Sequence, residues 1–341
     1  MRRVILTGLI MFVLGCKTMP VPPPTPEETK AAMSRKKTVA ILNFREEAAD
    51  VKGLGAVAVA TLENMLASTG QVNLVERTRL NRILAEQNLA AEGMIDPGRA
   101  VKLGRLLGVD ELIMGEVLTA TLRGPFRNKH RENRKEGRFV SGKIWDEVYG
   151  VAKISVKTVD VETGLIGYSG IKQSKKNLVI NSRSFTREAD YQDALKQLKK
   201  DKKVDWVARL VMNLAKKGTT KDRLERQYRD LLVETMEKSV NAYRKDMSRH
   251  YALKAEVLKK VSEKTIMVNL GSASGIKIGD RLEVWHCGEP ITDPHTGITT
   301  VPKRRIGKIK IVEITSGLTS IAKGSKKVIQ KISVGDMVLT P

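Results

Sequence analysis

The chain has 341 residues, enough for two or three domains with cores of their own. It carries 61 Lys and Arg against 38 Asp and Glu, a formal charge of +23, which calls for an anionic neighbour or much solvent. Two cysteines, Cys16 and Cys287, exclude a disulfide framework, and no stretch beyond the first fifteen residues approaches the roughly 20 apolar residues of a membrane-spanning helix.

In chain order, Arg2 and Arg3 precede the apolar run Val4 to Leu14, the layout of a secretory signal peptide over residues 1–15. Val13-Leu14-Gly15-Cys16 resembles the lipobox of bacterial lipoproteins, which implies cleavage before Cys16 and acylation of that residue. Lys17 in place of aspartate then implies sorting to the outer membrane, with the protein facing the periplasm. Loss of Arg2 and Arg3 would leave 59 basic against 38 acidic residues, or +21. For an exported protein that excess points to lipid headgroups, acidic polymers or an acidic protein rather than nucleic acid. The prolines between Pro20 and Pro26 predict an extended tether over residues 16–36.

"TVAILNF" (38–44) predicts a buried strand, and Leu54, Ala58, Leu62 and Leu66 recur at helical spacing until "STG" (68–70) stops them. "VNLVER" (72–77) predicts a second strand, and Leu80 to about Leu89 a helix. Asp96-Pro97 caps a helix that runs to Leu107 and ends at Gly108. Residues 111–122 predict a third strand, 148–161 a fourth that turns at Glu162-Thr163-Gly164, and roughly 206–247 a long helix. This alternation indicates a layered α/β domain over 37–250. From 251 to 341, short β-branched runs broken by glycine predict a small all-β barrel or sandwich of five to seven strands, in which Gly279-Asp280 and Gly335-Asp336 serve as turns.

"VAILNF" (39–44), "VERTRLNRILAEQ" (75–87), "DPGRAVKLGRLLGVDELIMGEV" (96–117) and "VDVETGLI" (159–166) resemble, in order, successive blocks of the CsgG family of curli-secretion lipoproteins. The resemblance implies a CsgG-like (TolB N-terminal-like) α/β fold. "NLGSASGIKIGDRLEV" (269–284) resembles the C-terminal β domain of the flagellar ring protein FlgT. The CsgG resemblance further implies self-association into a ring whose subunits each lend two hairpins to a transmembrane β-barrel, used for secretion.

The two hairpin positions here are heavily charged. Residues 123–143 hold eight Lys/Arg and two Glu, and residues 171–205 hold ten basic and five acidic residues. A cation on the lipid face near the bilayer midplane costs roughly 2–4 kcal/mol. These segments are therefore expected to be charged surface loops or helices, apart from one weak strand at "NLVINSRSF". The candidate contacts to an anionic partner are Arg123, Arg127, Lys129, Arg131, Arg134, Lys135 and Arg138, then Lys199, Lys200, Lys202 and Lys203. The family's constriction loop corresponds to 45–53, "REEAADVKG", which has no aromatic or amide side chain.

Gly53-Leu-Gly55-Ala-Val-Ala58 matches a dinucleotide-binding pattern, with Glu76 at suitable spacing. Eight residues separate it from the preceding strand, however, and Glu46, Glu47 and Asp50 among them would repel a pyrophosphate. "GSASG" (271–275) has Ala273 where a nucleophile elbow needs serine. His130, His250, His286 and His295 are scattered, and His286-Cys287 has no second cluster at ligand spacing. The expectation is a non-enzymatic outer-membrane lipoprotein without cofactor, a homo-oligomer with an envelope protein or acidic polymer as partner, acting in assembly or secretion of an envelope or surface structure. The alternatives are a curli-type secretion channel, a regulator of peptidoglycan synthesis or a flagellar ring component.

Overall fold

The computed structural model describes residues 23–47, 49–76, 97–200, 218–295, 297 and 299–340, with Thr78, Leu80 and Arg82. They form two compact units, one of the described residues between Met33 and Lys254 with Leu339 and Thr340, the other of those between Ala255 and Val338 with residues 23–32.

The first unit is built on a mixed sheet. Strand β1 (Lys37–Ile41) pairs in parallel with β3 (Val72–Leu74) on one side and with β4 (Glu111–Lys135) on the other. From β4 the sheet continues antiparallel through β5 (Arg138–Asp160) to β6 (Ile166–Phe185), and the short β2 (Arg45–Glu46) lies alongside β4. The two residues between β4 and β5, Glu136 and Gly137, both have positive φ (52° and 77°), the geometry that matches the twist of a tight hairpin.

Period-2 alternation gives this sheet two buried faces at its base. Val39, Ile41, Ile113, Val117, Ile154 and Val156 pack under α2 (Leu54–Thr69), α5 (Gly218–Asn241) and α6 (Arg244–His250). Ala40, Leu42, Leu112, Met114, Val159 and Val161 meet α3 (Pro97–Leu107) on the opposite face. Leu54, Ala58, Leu62, Met65 and Leu66 of α2 are buried at helical spacing, and Gly70, at φ 65°, ends that helix as "STG" predicts. Helix α5 lies close on β5: a Cβ at Gly150 would come within 2.6 Å of Thr235 Oγ1, and Ser239 Oγ donates to the Ala152 carbonyl at 3.0 Å.

The structure corrects two expectations. Residues 123–143 are neither loop nor helix but the end of the β4–β5 ladder, whose strands run 25 and 23 residues without leaving the sheet. Backbone hydrogen bonding is indifferent to side-chain charge where alternate side chains reach solvent, so lysine and arginine do not break the ladder. In the second segment the expected weak strand (177–185) is the end of one unbroken strand, β6, that starts at Ile166, and α4 (Glu188–Lys200) follows, matching the helical reading of that stretch. The second correction concerns the tether: residues 26–33 form helix α1 (Pro26–Met33). Thr25 Oγ1 accepts the Glu28 amide at 3.2 Å while Glu28 Oε2 accepts the Thr25 amide at 2.9 Å, a reciprocal cap followed by proline at the first helical position. The helix expected from Leu80 to Leu89 falls mostly outside the described residues.

The second unit is a closed six-stranded barrel in the order β12-β13-β8-β7-β14-β9. Its strands are β7 (Lys254–Ser262), β8 (Thr265–Val268), β9 (Arg281–Cys287), β12 (Lys303–Ile314), β13 (Ser320–Lys323) and β14 (Met337–Leu339). A small hairpin, β10 (Ile291–Thr292) with β11 (Thr299–Thr300), stands off it. Val257, Ile266, Val268, Leu282, Val284, Ile309 and Ile311 fill the core with Ile329 from α7 (Lys326–Lys331). The two Gly-Asp turns share one construction. The Asp280 carboxylate accepts the Lys277 amide at 2.8 Å, and that of Asp336 accepts the Ser333 amide at 2.7 Å. Within this unit Glu28 of α1 accepts the Gly317 amide at 3.1 Å, and bonds from Thr25, Ser316 and Gly317 hold its carboxyl below the ordinary range.

Candidate functional site

Beyond the helical base, alternation along β5 sends Gly142, Ile144 and Val148 to one face and Ser141, Lys143, Trp145, Glu147 and Tyr149 to the other. The first face is covered by α4, where Tyr191 lies so close to Gly142 that a Cβ there would be 2.3 Å from its ring. Phe139, Ile144, Phe185, Ala194 and Leu195 complete this small apolar cluster. None of the described helices packs on the second face. Register places Arg123, Phe126, Lys129 and Arg131 of β4 opposite Tyr149, Glu147, Trp145 and Lys143, and Lys175 and Asn177 of β6 opposite Val151 and Tyr149.

Glu147 is the centre of this open face. It is 6% exposed, and its carboxylate accepts hydrogen bonds from the Tyr149 hydroxyl, from Trp145 Nε1 at 3.4 Å and from Asn177 Nδ2 at 3.4 Å, with Lys129 Nζ at 3.9 Å. The Tyr149 bond leads the effects that keep the Glu147 carboxyl below its usual range despite burial. The same bond raises the Tyr149 hydroxyl above its own. The Lys175 ammonium sits 3.4 Å from the centroid of the Tyr149 ring, and Phe126 meets that ring edge-on at 5.3 Å. Beside this group runs a groove of about 520 Å³ lined by Arg131, Ser141, Lys143, Trp145, Glu147 and Asn177, among others.

Cations in the groove and farther along the open face are poorly compensated. Arg131 and Lys143 are exposed and directly opposite one another across β4 and β5. Like charges so placed repel, and among the described residues neither makes an ion pair. Arg123 and Lys153 likewise have no carboxylate partner among the described residues.

The expected contact residues thus separate. Arg123, Lys129 and Arg131 share the open face. Arg134 does not: it bonds Glu132 and Glu188, tying the hairpin to α4, and those bonds raise its already high pKa. Lys135 and Arg138 flank the hairpin turn, exposed and opposite each other. Arg127 lies in β4, and Lys199 and Lys200 end α4; the side chains of these three are outside the described set, as are residues Cys16, Lys202 and Lys203. The sequence reading missed Lys143, Trp145, Glu147, Tyr149, Lys153, Lys175 and Asn177. Their signal was the alternation in "SGKIWDEVY", hidden by the charge around it.

Other candidates resolve into structure. The dinucleotide-like pattern is occupied by its own chain: Glu46 accepts the Gly55 amide at 2.6 Å and the Gly53 amide at 3.2 Å, filling the helix start where a phosphate would sit. His250 bonds buried Glu111 at 2.7 Å, and His286 bonds Asp336 at 2.7 Å. Among the described residues no group of three or more His, Cys, Asp or Glu could hold a metal ion.

The LpoB C-terminal domain from Salmonella enterica aligns with a TM-score of 0.28 at 15% identity, over 42% of this chain and 82% of that one. Lipoprotein GNA1162 from Neisseria meningitidis gives 0.30 at 11% identity, over 48% and 96%. A PelC dodecamer subunit from Paraburkholderia phytofirmans gives 0.23 at 15% identity, over 42% and 73%. No curated protein matches the sequence significantly. Residues 27–189 match the family model described as curli production assembly/transport component CsgG, so this part of the chain is CsgG-like.

Proposed function

We propose that this chain is a non-enzymatic envelope lipoprotein. Acylated Cys16 holds it at the periplasmic face of the outer membrane, and it assists assembly or secretion of an envelope or surface structure by engaging an anionic partner. The CsgG-like part of the chain supports the envelope role. The observation that carries the partner reading is the open face of β4, β5 and β6, where Arg131 faces Lys143 and Arg123 and Lys153 have no carboxylate partner among the described residues. Exposed like charges held in adjacent register cost stability, and an anionic partner removes that cost. The C-terminal barrel is a second interaction surface in this reading.

A ring-forming secretion channel is the second reading, favoured by a β4–β5 hairpin that reaches far beyond the helical base. A membrane strand needs an apolar lipid-facing stripe about ten residues long. Here one face of the hairpin end is capped by α4 and the other is cationic. Membrane fractionation of cells carrying the full-length protein or Cys16→Ala tests the anchor: the wild type sediments with outer membranes and the variant is released into the periplasm. Electron microscopy of detergent-extracted particles tests the channel. Rings bearing a detergent-belted barrel would overturn the first reading.

A further inference from the structure

The chemistry of the groove narrows the class of partner. A polypeptide that joins a sheet does so along an edge, where main-chain groups are free. Among the described residues the outer sides of β6 and of the end of β4 are such edges, but the groove lies on the face of β4, β5 and β6, where the main-chain groups between the strands are engaged in the ladders. Only side chains are on offer there. They are of four kinds: apolar surface from a half-exposed indole (Trp145) and Val179, neutral hydrogen-bonding groups (Asn133, Ser141 and Asn177), two cations with no carboxylate partner among the described residues (Arg131 and Lys143), and two carboxylates already engaged, Glu132 with Arg134 at 3.0 Å and Glu147 with its own donors. Tyr149 is not a free platform, because Lys175 covers its ring at 3.4 Å.

An indole presents a flat apolar surface to the C–H face of a sugar ring. Amide and hydroxyl groups pair with ring hydroxyls in either sense, as donor or acceptor. A guanidinium and an ammonium on neighbouring strands, about 5 Å apart at the backbone, bracket a carboxylate or phosphate substituent. Buried Glu147 already has its partners, so it orients Trp145 and Asn177 rather than repelling the ligand. From Arg131 the cations Lys129 and Arg123 continue along β4 for roughly 25 Å, a length that suits a chain and not a single sugar.

We infer that the groove between Arg131, Lys143 and Trp145 is a binding site for an acidic glycan, a sugar chain bearing carboxylate or phosphate groups. This assignment rests on reading the face as the anionic-partner surface. Carboxylate- and phosphate-bearing chains share the chemistry, so both kinds serve as probes.

The test is titration of the whole mature protein, at physiological salt, with polygalacturonate, a phosphate-bearing teichoic acid, neutral dextran, poly-L-glutamate and oligo-dT, read by calorimetry. At least one acidic glycan is expected to bind at least tenfold more tightly than poly-L-glutamate or oligo-dT, and dextran only weakly. Trp145→Ala and, separately, Lys143→Gln should each weaken that binding about tenfold, while Lys326→Gln on the barrel leaves it unchanged. Lys143 is exposed, so its variant keeps the test valid if Trp145→Ala fails to fold. Which of the two acidic glycans binds more tightly identifies the substituent. If poly-L-glutamate or oligo-dT binds as tightly as the acidic glycans, or if Trp145→Ala and Lys143→Gln change nothing while Arg123→Gln weakens binding, the glycan assignment fails and the anionic face stands. If no polyanion binding responds to variants on this face, both fail.

Discussion

Glu111 and His250 meet at 2.7 Å, joining the first residue of β4 to the last of α6, and the carboxylate is wholly buried. Lys37 Nζ approaches the other carboxylate oxygen at 3.1 Å, and Thr158 Oγ1 lies 3.4 Å from the same imidazole nitrogen. Burial pushes the Glu111 carboxyl up, but the bonds from His250, Thr158 and Lys37, with the charge on His250, outweigh it and leave the carboxyl below its ordinary 4.5.

A lowered folded-state value means that the unfolded chain binds the proton more readily. The contribution is therefore full above pH 4.5 and is lost as pH falls through the folded value. His250→Ala leaves Glu111 buried with one ammonium partner and should cost about 2 kcal/mol. Denaturant melts at neutral and acid pH check both statements: the deficit of the variant should shrink as the medium is acidified.

Tyr243 fixes the helical layer to the sheet. Its ring is buried, and its hydroxyl lies 2.8 Å from the Ile154 carbonyl of β5 and 2.9 Å from the Gly170 carbonyl of β6. Tyr243→Phe keeps the packing and removes the donor, for an expected loss of about 1 kcal/mol. Tyr243→Ala also opens a cavity and should cost roughly 3–5 kcal/mol. Chemical denaturation of the pair separates the hydrogen bond from the packing.

Helix α4 docks on the hairpin through Tyr191 over Gly142. Tyr191→Ala should release that helix with little effect on the base of the sheet, because the aromatic cluster at the hairpin end is separate from the two main cores. Hydrogen exchange should rise over residues 188–198 and stay slow over α2 and α5. Gly142→Ala should do the same by steric exclusion, since its Cβ has no room beside the ring.

Arg131→Gln removes one of two facing cations. The variant should be slightly more stable than the parent, by about 0.5 kcal/mol, and should bind an acidic glycan more weakly. A structural role for Arg131 would give loss of stability instead, so thermal melts of the variant separate the two roles.

Much of the fold was written in local pattern. Leu54, Leu62 and Leu66 mark α2, Pro97 and Gly108 bound α3, and the Gly-Asp turns announce β9 and β14. The open face was harder to read because its residues cohere only in register: Arg131 meets Lys143 and Lys129 meets Trp145 through pairings across a hairpin, which composition does not contain. The dense charge of 123–143 suggested loop, although Glu136-Gly137 is a serviceable turn and Ser141, Lys143, Trp145, Glu147 and Tyr149 alternate with Gly142, Ile144 and Val148, broken only by Asp146. Helix α1 was concealed in the same way. The prolines before it read as extended chain, while Thr25-Pro26-Glu27-Glu28 is a helix start.

Strand β6 has a further consequence. Among the described residues no strand pairs with its outer side, so main-chain groups along it, apart from the Gly170 and Lys175 carbonyls that accept Tyr243 and Lys238, are open to a passing chain. Lys172, Lys175, Lys176 and Arg183 are spaced along it, and charged side chains on an edge deter the pairing that leads to fibrils. Neutralising these positions to simplify the surface would turn the edge into a template for aggregation.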